Sequence, residues 1–141
     1  MNYWLFKSEP TKWSWQDQVR KGKEGEGWDG VRNHQAANNM KAMKKGDLGF
    51  FYHSVIEKQI VGIIEVIKEY HADPTDKSGK FGMVTVQAFK NIKNPVSLAD
   101  IKNNKELADF IMLRQNRLSV LPVNKKQWNI LCRMSDLKNS N

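Results

Sequence analysis

The sequence is poor in the residues that stabilise small secreted or metal-binding proteins. It holds one cysteine, Cys132, which cannot form a disulfide within the chain and which we expect to fill the core. The three histidines, His34, His53 and His71, share no metal-ligand spacing, and a single cysteine cannot supply a zinc framework. We therefore predict a protein without a metal or a cofactor.

Long apolar segments are also absent. Runs such as IVGII at 60–64 are far too short to cross a bilayer. The opening residues, MNYWLFKSEP, lack the basic region, the apolar stretch and the small-residue cleavage site of a secretory signal. These absences predict a cytoplasmic protein that has no membrane partner.

What remains is the composition of one globular domain. A chain of 141 residues, 40% of them hydrophobic, is long enough to bury a core, and it shows no internal repeat. We predict a single domain over residues 1–141. The formal net charge of +8 favours a polyanionic partner such as nucleic acid, although many small proteins are basic for solubility alone.

Strands and helices are mixed along the chain without regular alternation. Runs rich in β-branched and aromatic residues predict strands at 3–7, 48–54, 59–70, 83–89 and 117–123. Capping residues predict helices that begin near Ser14, Asn33, Ser97 and Asn124, and a helical turn over 105–110. This pattern predicts an α+β fold with a mostly antiparallel and curled or barrel-like sheet, whose three middle strands form a meander.

Two connections are rich in polar residues and glycine. The segment GKEGEG at 22–27 lacks the Gly-Lys-Ser/Thr ending of a phosphate-binding loop, so we interpret it as a flexible loop. The segment HADPTDKSGK at 71–80 predicts a long exposed connection that serves as a lid or rim.

No catalytic motif is complete. His53 and Ser54 are neighbours on a predicted strand and point to opposite faces, so one cannot activate the other. Carboxylates such as Asp29, Asp47 and Asp73 are available, but no serine lies in a nucleophile-elbow pattern. The sequence therefore predicts a protein that is not an enzyme.

Six motifs carry a resemblance to a known family. They are YWLFKSEP (3–10), WDGVRNHQAANNM (28–40), GDLGFFYHS (46–54), VGIIEV (61–66), PVSLADIK (95–102) and RQNRLSVLPV (114–123). In order and spacing they resemble the EVE domain family over nearly the whole chain. The resemblance implies a PUA-like fold, related to YTH and ASCH domains, and implies nucleic-acid binding in which a modified base is read.

The chain departs from the pattern of that family at three positions. His34 stands where an aromatic residue is often found, and Ala37 stands where an arginine is often found. Phe81 replaces a tryptophan that often precedes the third long strand. These departures bear on the second wall of an aromatic pocket, to which His34 and Phe81 are the candidates, and on one backbone phosphate contact.

An aromatic pocket suits a base that leaves the stack. Flipping costs a few kcal/mol, and stacking on an aromatic face recovers about 1 to 3 kcal/mol per base. We predict that Trp28 is the stacking platform, because its neighbours are polar and it lies on a loop. The alternative is a tryptophan of the core.

The edge of the base needs fixed donors and acceptors. Amide, hydroxyl and backbone groups present both, and the candidates are Asn33, Gln35, Ser8, the backbone from Lys7 to Glu9, and the pair Tyr52 and Ser54 on one face of a strand. Two alternatives stay open: Asn33 caps a helix, and Ser8 with Glu9 shapes the turn before Pro10.

Basic residues are candidates for contacts with the phosphate backbone. They are Arg32, Lys41, Lys44, Lys45, Arg114 and Arg117. The alternatives are a solvated helix face for the lysines and a structural salt bridge for Arg117.

Together these features predict a non-catalytic domain that reads a modified, methylated nucleobase in DNA or RNA, alone or with a separate effector protein. Two other classes stay open. One is a small enzyme that acts on a modified base in the same pocket, and the other is a module that binds a peptide or a small ligand.

Overall fold

The computed structural model describes residues 1–137, which form one six-stranded sheet and five helices. The elements are β1 Tyr3–Ser8, α1 Trp15–Arg20, β2 Glu26–Gly27, α2 His34–Lys41, β3 Leu48–His53, β4 Gln59–Ala72, β5 Gly82–Ser97, α3 Leu98–Asn103, α4 Ile111–Arg114, β6 Val120–Val123 and α5 Lys125–Leu137. Single 3-10 turns cover Gly22–Glu24 and Lys105–Leu107.

The strands lie in the order β2-β5-β4-β3-β1-β6. The meander of β3, β4 and β5 is confirmed, and within residues 1–137 the pair β1 and β3 is the one parallel pair. The segment between β1 and β3, which includes α1 and α2, supplies the crossover that a parallel pair requires. The predicted α+β class with a mostly antiparallel sheet is confirmed.

Local side-chain caps fix where the helices begin. Ser14 and Asp17 form a reciprocal capping box at the start of α1. The side chains of Asn33 and Ser97 accept hydrogen bonds from backbone N–H groups three residues later, and Asn124 does the same before α5. All four predicted starts are therefore confirmed.

The prediction of a flexible loop at 22–27 is wrong. Glu26 and Gly27 pair with Val86 and Thr85 of β5, so the segment ends in a short edge strand. Gly25 makes this pairing possible, because it has a φ of 73° and a Cβ at this position would lie 2.7 Å from the Val86 carbonyl oxygen. A strand of two residues exists only through its partner, which explains why local sequence did not reveal it.

The central strands separate two packed faces. On the face that α5 covers, the ring of Phe50 stacks on Trp128 with centroids 4.1 Å apart. On the opposite face, the rings of Phe6 and Phe51 contact Trp28 edge-to-face at 5.0 and 5.6 Å. We call these the α5 face and the Trp28 face.

Candidate nucleic-acid interface

Two cavities meet where β1 ends, and together they form what we call the cleft. The Trp28 cavity has a volume of about 670 Å³, and the Tyr52 cavity has a volume of about 870 Å³. Lys7, Glu9 and Ser119 line both. Because side chains alternate along β1, this shared edge joins a cavity on the Trp28 face to a cavity on the α5 face.

Two indoles line the Trp28 cavity, from Trp28 and Trp13. Trp28 is only 8% exposed and belongs to the core, where it meets Phe6 and Phe51. Since a whole aromatic side chain has up to about 250 Å² of surface, roughly 20 Å² of Trp28 remains open. The ring therefore offers the cavity a small part of its surface, and Trp13, which is half-buried, is a further aromatic wall.

The indole N–H of Trp28 is a free donor. It makes no hydrogen bond to any group within residues 1–137, whereas the indole N–H groups of Trp4, Trp13 and Trp15 all have acceptors. Over the same residues, every fully buried side-chain nitrogen or oxygen has a partner. The Trp28 nitrogen must therefore keep some accessible surface.

Three carboxylates line the same cavity. Glu9 pairs with Lys12 at 3.1 Å, and Glu26 pairs with Lys21 at 3.4 Å. Asp29 is exposed and makes no ion pair or hydrogen bond through its side chain with residues 1–137. The Asp29 carboxylate is thus a free acceptor in the cavity that the Trp28 indole also lines.

Ser8 and Glu9 build the turn that shapes this cavity. The Ser8 hydroxyl donates to the Trp13 carbonyl oxygen at 2.5 Å, and the Glu9 carbonyl oxygen accepts from the N–H groups of Lys12 and Trp13. The alternative that these residues shape a turn is what the structure shows, while both also line the cavity.

The Tyr52 cavity lies above a row of side chains on the α5 face. Lys7 is the register partner of Tyr52, and the Lys7 N–H donates to the Ser119 carbonyl oxygen at 2.8 Å. The Tyr52 hydroxyl has no hydrogen-bond partner in residues 1–137, although the residue is 4% exposed, so this group also reaches accessible surface. Burial raises the pKa of Tyr52, which keeps the hydroxyl a donor.

Lys7 connects the two cavities. Its Nζ donates to the Asn116 carbonyl oxygen at 3.1 Å, and burial lowers the pKa of the amine. Ser54, which lines the Tyr52 cavity, is held beside Ser8 by a hydrogen bond from the Ser54 N–H to the Ser8 carbonyl oxygen at 2.9 Å.

Opposite charges distinguish the two cavities. The Tyr52 cavity has four cationic residues against one carboxylate, and the cations are Lys7, Lys58, Lys102 and Arg117. The Trp28 cavity has three carboxylates against two lysines. One cavity therefore suits an anion, and the other suits a neutral ring with donor groups.

Four predicted pocket residues lie outside both cavities, near the start of α2. Asn33 is the helix cap, and its side-chain oxygen accepts from the Ala36 N–H at 2.9 Å. The rings of His34 and Phe81 contact each other with centroids 5.0 Å apart, and Gln35 is exposed. The structure thus places Trp28 and Ser8 together, Tyr52 and Ser54 together, and these four residues elsewhere.

Arg32 belongs to a clasp that joins the Trp28 loop to the 71–80 connection. The buried Asp73 accepts from Arg32 at 3.1 Å, from the Gly30 N–H at 2.9 Å and from the Thr75 N–H at 2.8 Å. Burial alone would raise the pKa of Asp73, but the hydrogen bonds from Thr75, Gly30 and Arg32 outweigh it and lower the pKa to about 2. Because Gly30 lines the Trp28 cavity, the clasp holds that cavity's rim.

The other predicted cations divide by position. Lys41 lies over the ring of Tyr70, and Lys44 precedes the start of β3, at the end of the sheet opposite the cleft. Lys45 lies beside it and donates its backbone N–H to Glu69. Arg117 lines the Tyr52 cavity, and Arg114 is exposed on the neighbouring helix α4.

Several residues of the cleft were not predicted. They are Lys12, Trp13, Asp29, Lys58, Lys102, Asn116 and Ser119. Trp13 had a sequence signal, because it lies only three residues after Pro10 of the Ser8-Glu9-Pro10 turn. Lys58 and Lys102 had none, since only the fold brings the β3–β4 turn to α3, where the Leu98 N–H donates to the Lys58 carbonyl oxygen at 2.9 Å.

The part of the chain that the structure describes contains no group of three or more His, Cys, Asp or Glu residues that could hold a metal ion. Within the same part, each helix is too short or too polar to cross a membrane.

Comparison with known proteins shows the family to which the chain belongs. A family model described as the EVE domain matches residues 2–134. The chain belongs to the EVE domain family. The predicted resemblance is confirmed, and with it the PUA-like character of the fold.

Three relatives are similar to this EVE domain over nearly its whole length. Thymocyte nuclear protein 1 of Rattus norvegicus is 32% identical over 171 positions, covering 99% of this chain and 76% of the relative. A protein from Rhodopseudomonas palustris, solved by NMR, is 51% identical with a TM-score of 0.92, covering 97% and 94% of the two chains.

The third relative is human THYN1, crystallised in complex with DNA containing 5-methylcytosine. It is 29% identical to this EVE domain with a TM-score of 0.89, covering 96% and 98% of the two chains. Membership in this family supports the expectation of a binding protein and not an enzyme.

Proposed function

We propose that this EVE domain binds nucleic acid and takes one modified base, with 5-methylcytosine in DNA as the first candidate, into the Trp28 cavity. The observation that carries the proposal is that Trp28, with a free indole N–H, and Asp29, with an unpaired carboxylate, line one cavity together with a second indole. The DNA complex of human THYN1 supports the choice of ligand.

The groups of the cavity complement the edge of a cytosine. The exocyclic amino group of cytosine is a donor, which a carboxylate such as Asp29 accepts, and its ring nitrogen and carbonyl oxygen are acceptors, to which an indole N–H donates. The apolar edges of Trp13 and Trp28 suit a methyl group. A methyl in a fitted apolar pocket contributes about 1 to 3 kcal/mol, so the expected preference is roughly tenfold to a hundredfold.

The Tyr52 cavity then holds the phosphate backbone beside that base. Its four cations exceed its one carboxylate, and the hydroxyl groups of Tyr52, Ser54 and Ser119 are further donors. Phosphate contacts fix the register of the strand, while contacts to the base edge give the preference for the modification.

A panel of short oligonucleotides tests this function. Fluorescence anisotropy would compare duplex DNA, single-stranded DNA and RNA, each with one modified base or none. We expect wild-type protein to prefer the 5-methylcytosine DNA by about tenfold or more. Equal binding of every oligonucleotide would overturn the proposal, and turnover of the modified base would favour an enzyme.

Trp28→Phe is the matching variant, because it removes the indole donor and keeps an aromatic ring in the core. A lost hydrogen bond of about 0.5 to 1.5 kcal/mol predicts a threefold to tenfold weaker complex with modified DNA. Trp128→Phe is the control, since Trp128 stacks between Tyr3 and Phe50 on the α5 face, and it should leave the preference for modified DNA unchanged.

A further inference from the structure

The turn between β3 and β4 has an unusual tip. Val55 and Ile56 are 64% and 51% exposed, side by side. The backbone at Val55, Glu57 and Lys58 has φ values of 68°, 72° and 42°, in the left-handed region that favours glycine. The Ile56 N–H donates to the Ser54 carbonyl oxygen at 2.7 Å, so Val55 is the centre of a γ-turn that a β-branched residue rarely adopts.

The rest of the turn is anchored. The buried ring of His53 contacts the Glu57 carboxylate at 3.3 Å, and Gln59 donates to the other oxygen of Glu57 at 3.2 Å. The Lys58 carbonyl oxygen accepts from the Leu98 N–H at 2.9 Å. The two apolar side chains therefore stand on a fixed base and project from it.

The tip stands next to the proposed base site and among cations. Ser54, the residue before Val55, donates to Ser8, which lines the Trp28 cavity. Val55 and Lys58 themselves line the Tyr52 cavity together with Lys102 and Arg117. An exposed aliphatic pair surrounded by cations at this position matches the surface of a polyanion that also has an apolar interior.

A DNA duplex has such an interior. When a base leaves the stack, its neighbours lose their stacking partner, and aliphatic side chains inserted between base steps occupy the gap. Single strands have no such gap, because their bases are already free to unstack.

We propose that Val55 and Ile56 form an apolar wedge that enters the base stack of duplex DNA at the position vacated by the modified base. This inference rests on the proposed function and specifies its substrate as double-stranded DNA. The strained backbone at Val55 points both side chains outward, and Lys58 and Lys102 hold the phosphates on either side of the insertion.

The test compares duplex with single-stranded DNA of one sequence, each carrying one 5-methylcytosine. We expect the double variant Val55→Ser with Ile56→Ser to bind the duplex about tenfold more weakly, while its affinity for the single strand changes by less than about twofold. A 2-aminopurine placed beside the 5-methylcytosine should become brighter when wild-type protein binds, and should not when the variant binds. Val19→Ser is the control, because Val19 is also an exposed valine but lies on α1 and not on this turn.

Val55→Gly separates the wedge from folding. Glycine adopts the left-handed conformation without a steric penalty, so the melting temperature should not fall, yet duplex affinity should. An unchanged duplex affinity in both variants would overturn the wedge, as would an equal loss for duplex and single strand. If the variants without DNA elute from a size-exclusion column at a different volume from wild-type protein, the tip would instead be assigned to contact between copies of this chain.

Failure of the wedge and failure of the proposed function give different results. If wild-type protein shows no preference for the modified base in either kind of DNA, the proposed function fails. If the preference is present and both wedge variants keep it on duplex DNA, only the wedge fails.

Discussion

At the scale of one residue, Asp29 illustrates the division that we propose: the Trp28 cavity recognises the base, and the Tyr52 cavity attracts the phosphate backbone. Its carboxylate repels a polyanion, yet it is the acceptor in the Trp28 cavity that no cation neutralises within residues 1–137. A negative charge next to a DNA site is useful only if it makes a specific contact. We therefore assign Asp29 to the base and the cations around Tyr52 to the backbone.

The substitution Asp29→Asn tests this assignment. The amide oxygen is a weaker acceptor than a carboxylate, so affinity for 5-methylcytosine DNA should fall about fivefold to tenfold. Binding of the same DNA with thymine at that position should rise slightly, because thymine has a carbonyl oxygen where cytosine has the amino group and one repulsive charge is lost. Glu26→Gln is the control, since Glu26 already pairs with Lys21, and parallel anisotropy titrations on both DNAs measure the ratio. An unchanged ratio for Asp29→Asn would contradict the assignment.

Asp73 predicts how stability depends on pH. Its folded pKa of about 2 lies below the ordinary value of 3.8, so its contribution to the free energy of unfolding is complete above about pH 4 and declines as the pH falls towards 2. The shift corresponds to about 2 kcal/mol. Urea unfolding at several pH values should show this decline in wild-type protein, and the difference between wild type and Asp73→Asn should shrink by that amount. A constant difference between pH 5 and pH 2 would contradict it.

At the scale of elements, what could be predicted depended on how local the signal was. The starts of α1 and α5 were predictable because each cap and its acceptor lie three residues apart, as Ser14 and Asp17 do. The strand β2 was not, because Glu26 and Gly27 are ordered only by β5, about sixty residues away. Phe81 was predicted as the second wall from the family pattern, but the fold places its ring against His34, outside both cavities.

The close packing of β4 against α1 gives an element-scale prediction. A Cβ at Gly62 would lie 2.4 Å from the indole of Trp15, whose N–H is fixed by Asn91 at 2.8 Å. We expect Gly62→Ala to lower the free energy of unfolding by about 1 to 3 kcal/mol, because the buried ring cannot move freely.

Gly27→Ala is the matched control for that substitution. The Cβ would meet the end of the Met83 side chain at 2.6 Å, and a flexible methionine can move away, so the cost should be clearly smaller. Chemical denaturation of both variants measures the difference. Equal destabilisation would contradict the view that the rigidity of the neighbour decides the cost.

At the scale of the whole molecule, the charge of +8 acts through its distribution. The cleft gathers cations from β1, the β3–β4 turn, α3 and the segment before β6, which no stretch of sequence contains together. The family resemblance and the charge predicted a nucleic-acid partner, while the division into an anionic and a cationic cavity required the fold.

Salt dependence measures which cations contact phosphate. If the four cations of the Tyr52 cavity neutralise four phosphates, the logarithm of the affinity for duplex DNA should fall with the logarithm of the salt concentration with a slope of about −3.6. Arg117→Gln and Lys102→Gln should each reduce the magnitude of that slope by about 1. Lys44→Gln, at the opposite end of the sheet, should leave it unchanged. A smaller slope for Lys44→Gln alone would place the DNA at the opposite end of the sheet instead.

The position of β1 between β3 and β6 has a consequence for the time at which the cleft appears during synthesis. During synthesis β1 cannot complete its pairing until residues 120–123 follow, since Phe6 pairs with Val120. Contacts so distant in sequence make folding slow, and they leave apolar strand edges unpaired until the partner strand has been synthesised. A chain that lacks residues 120–123 therefore leaves one edge of β1 unpaired at the border of both cavities, and the base site that we propose is complete only late in synthesis.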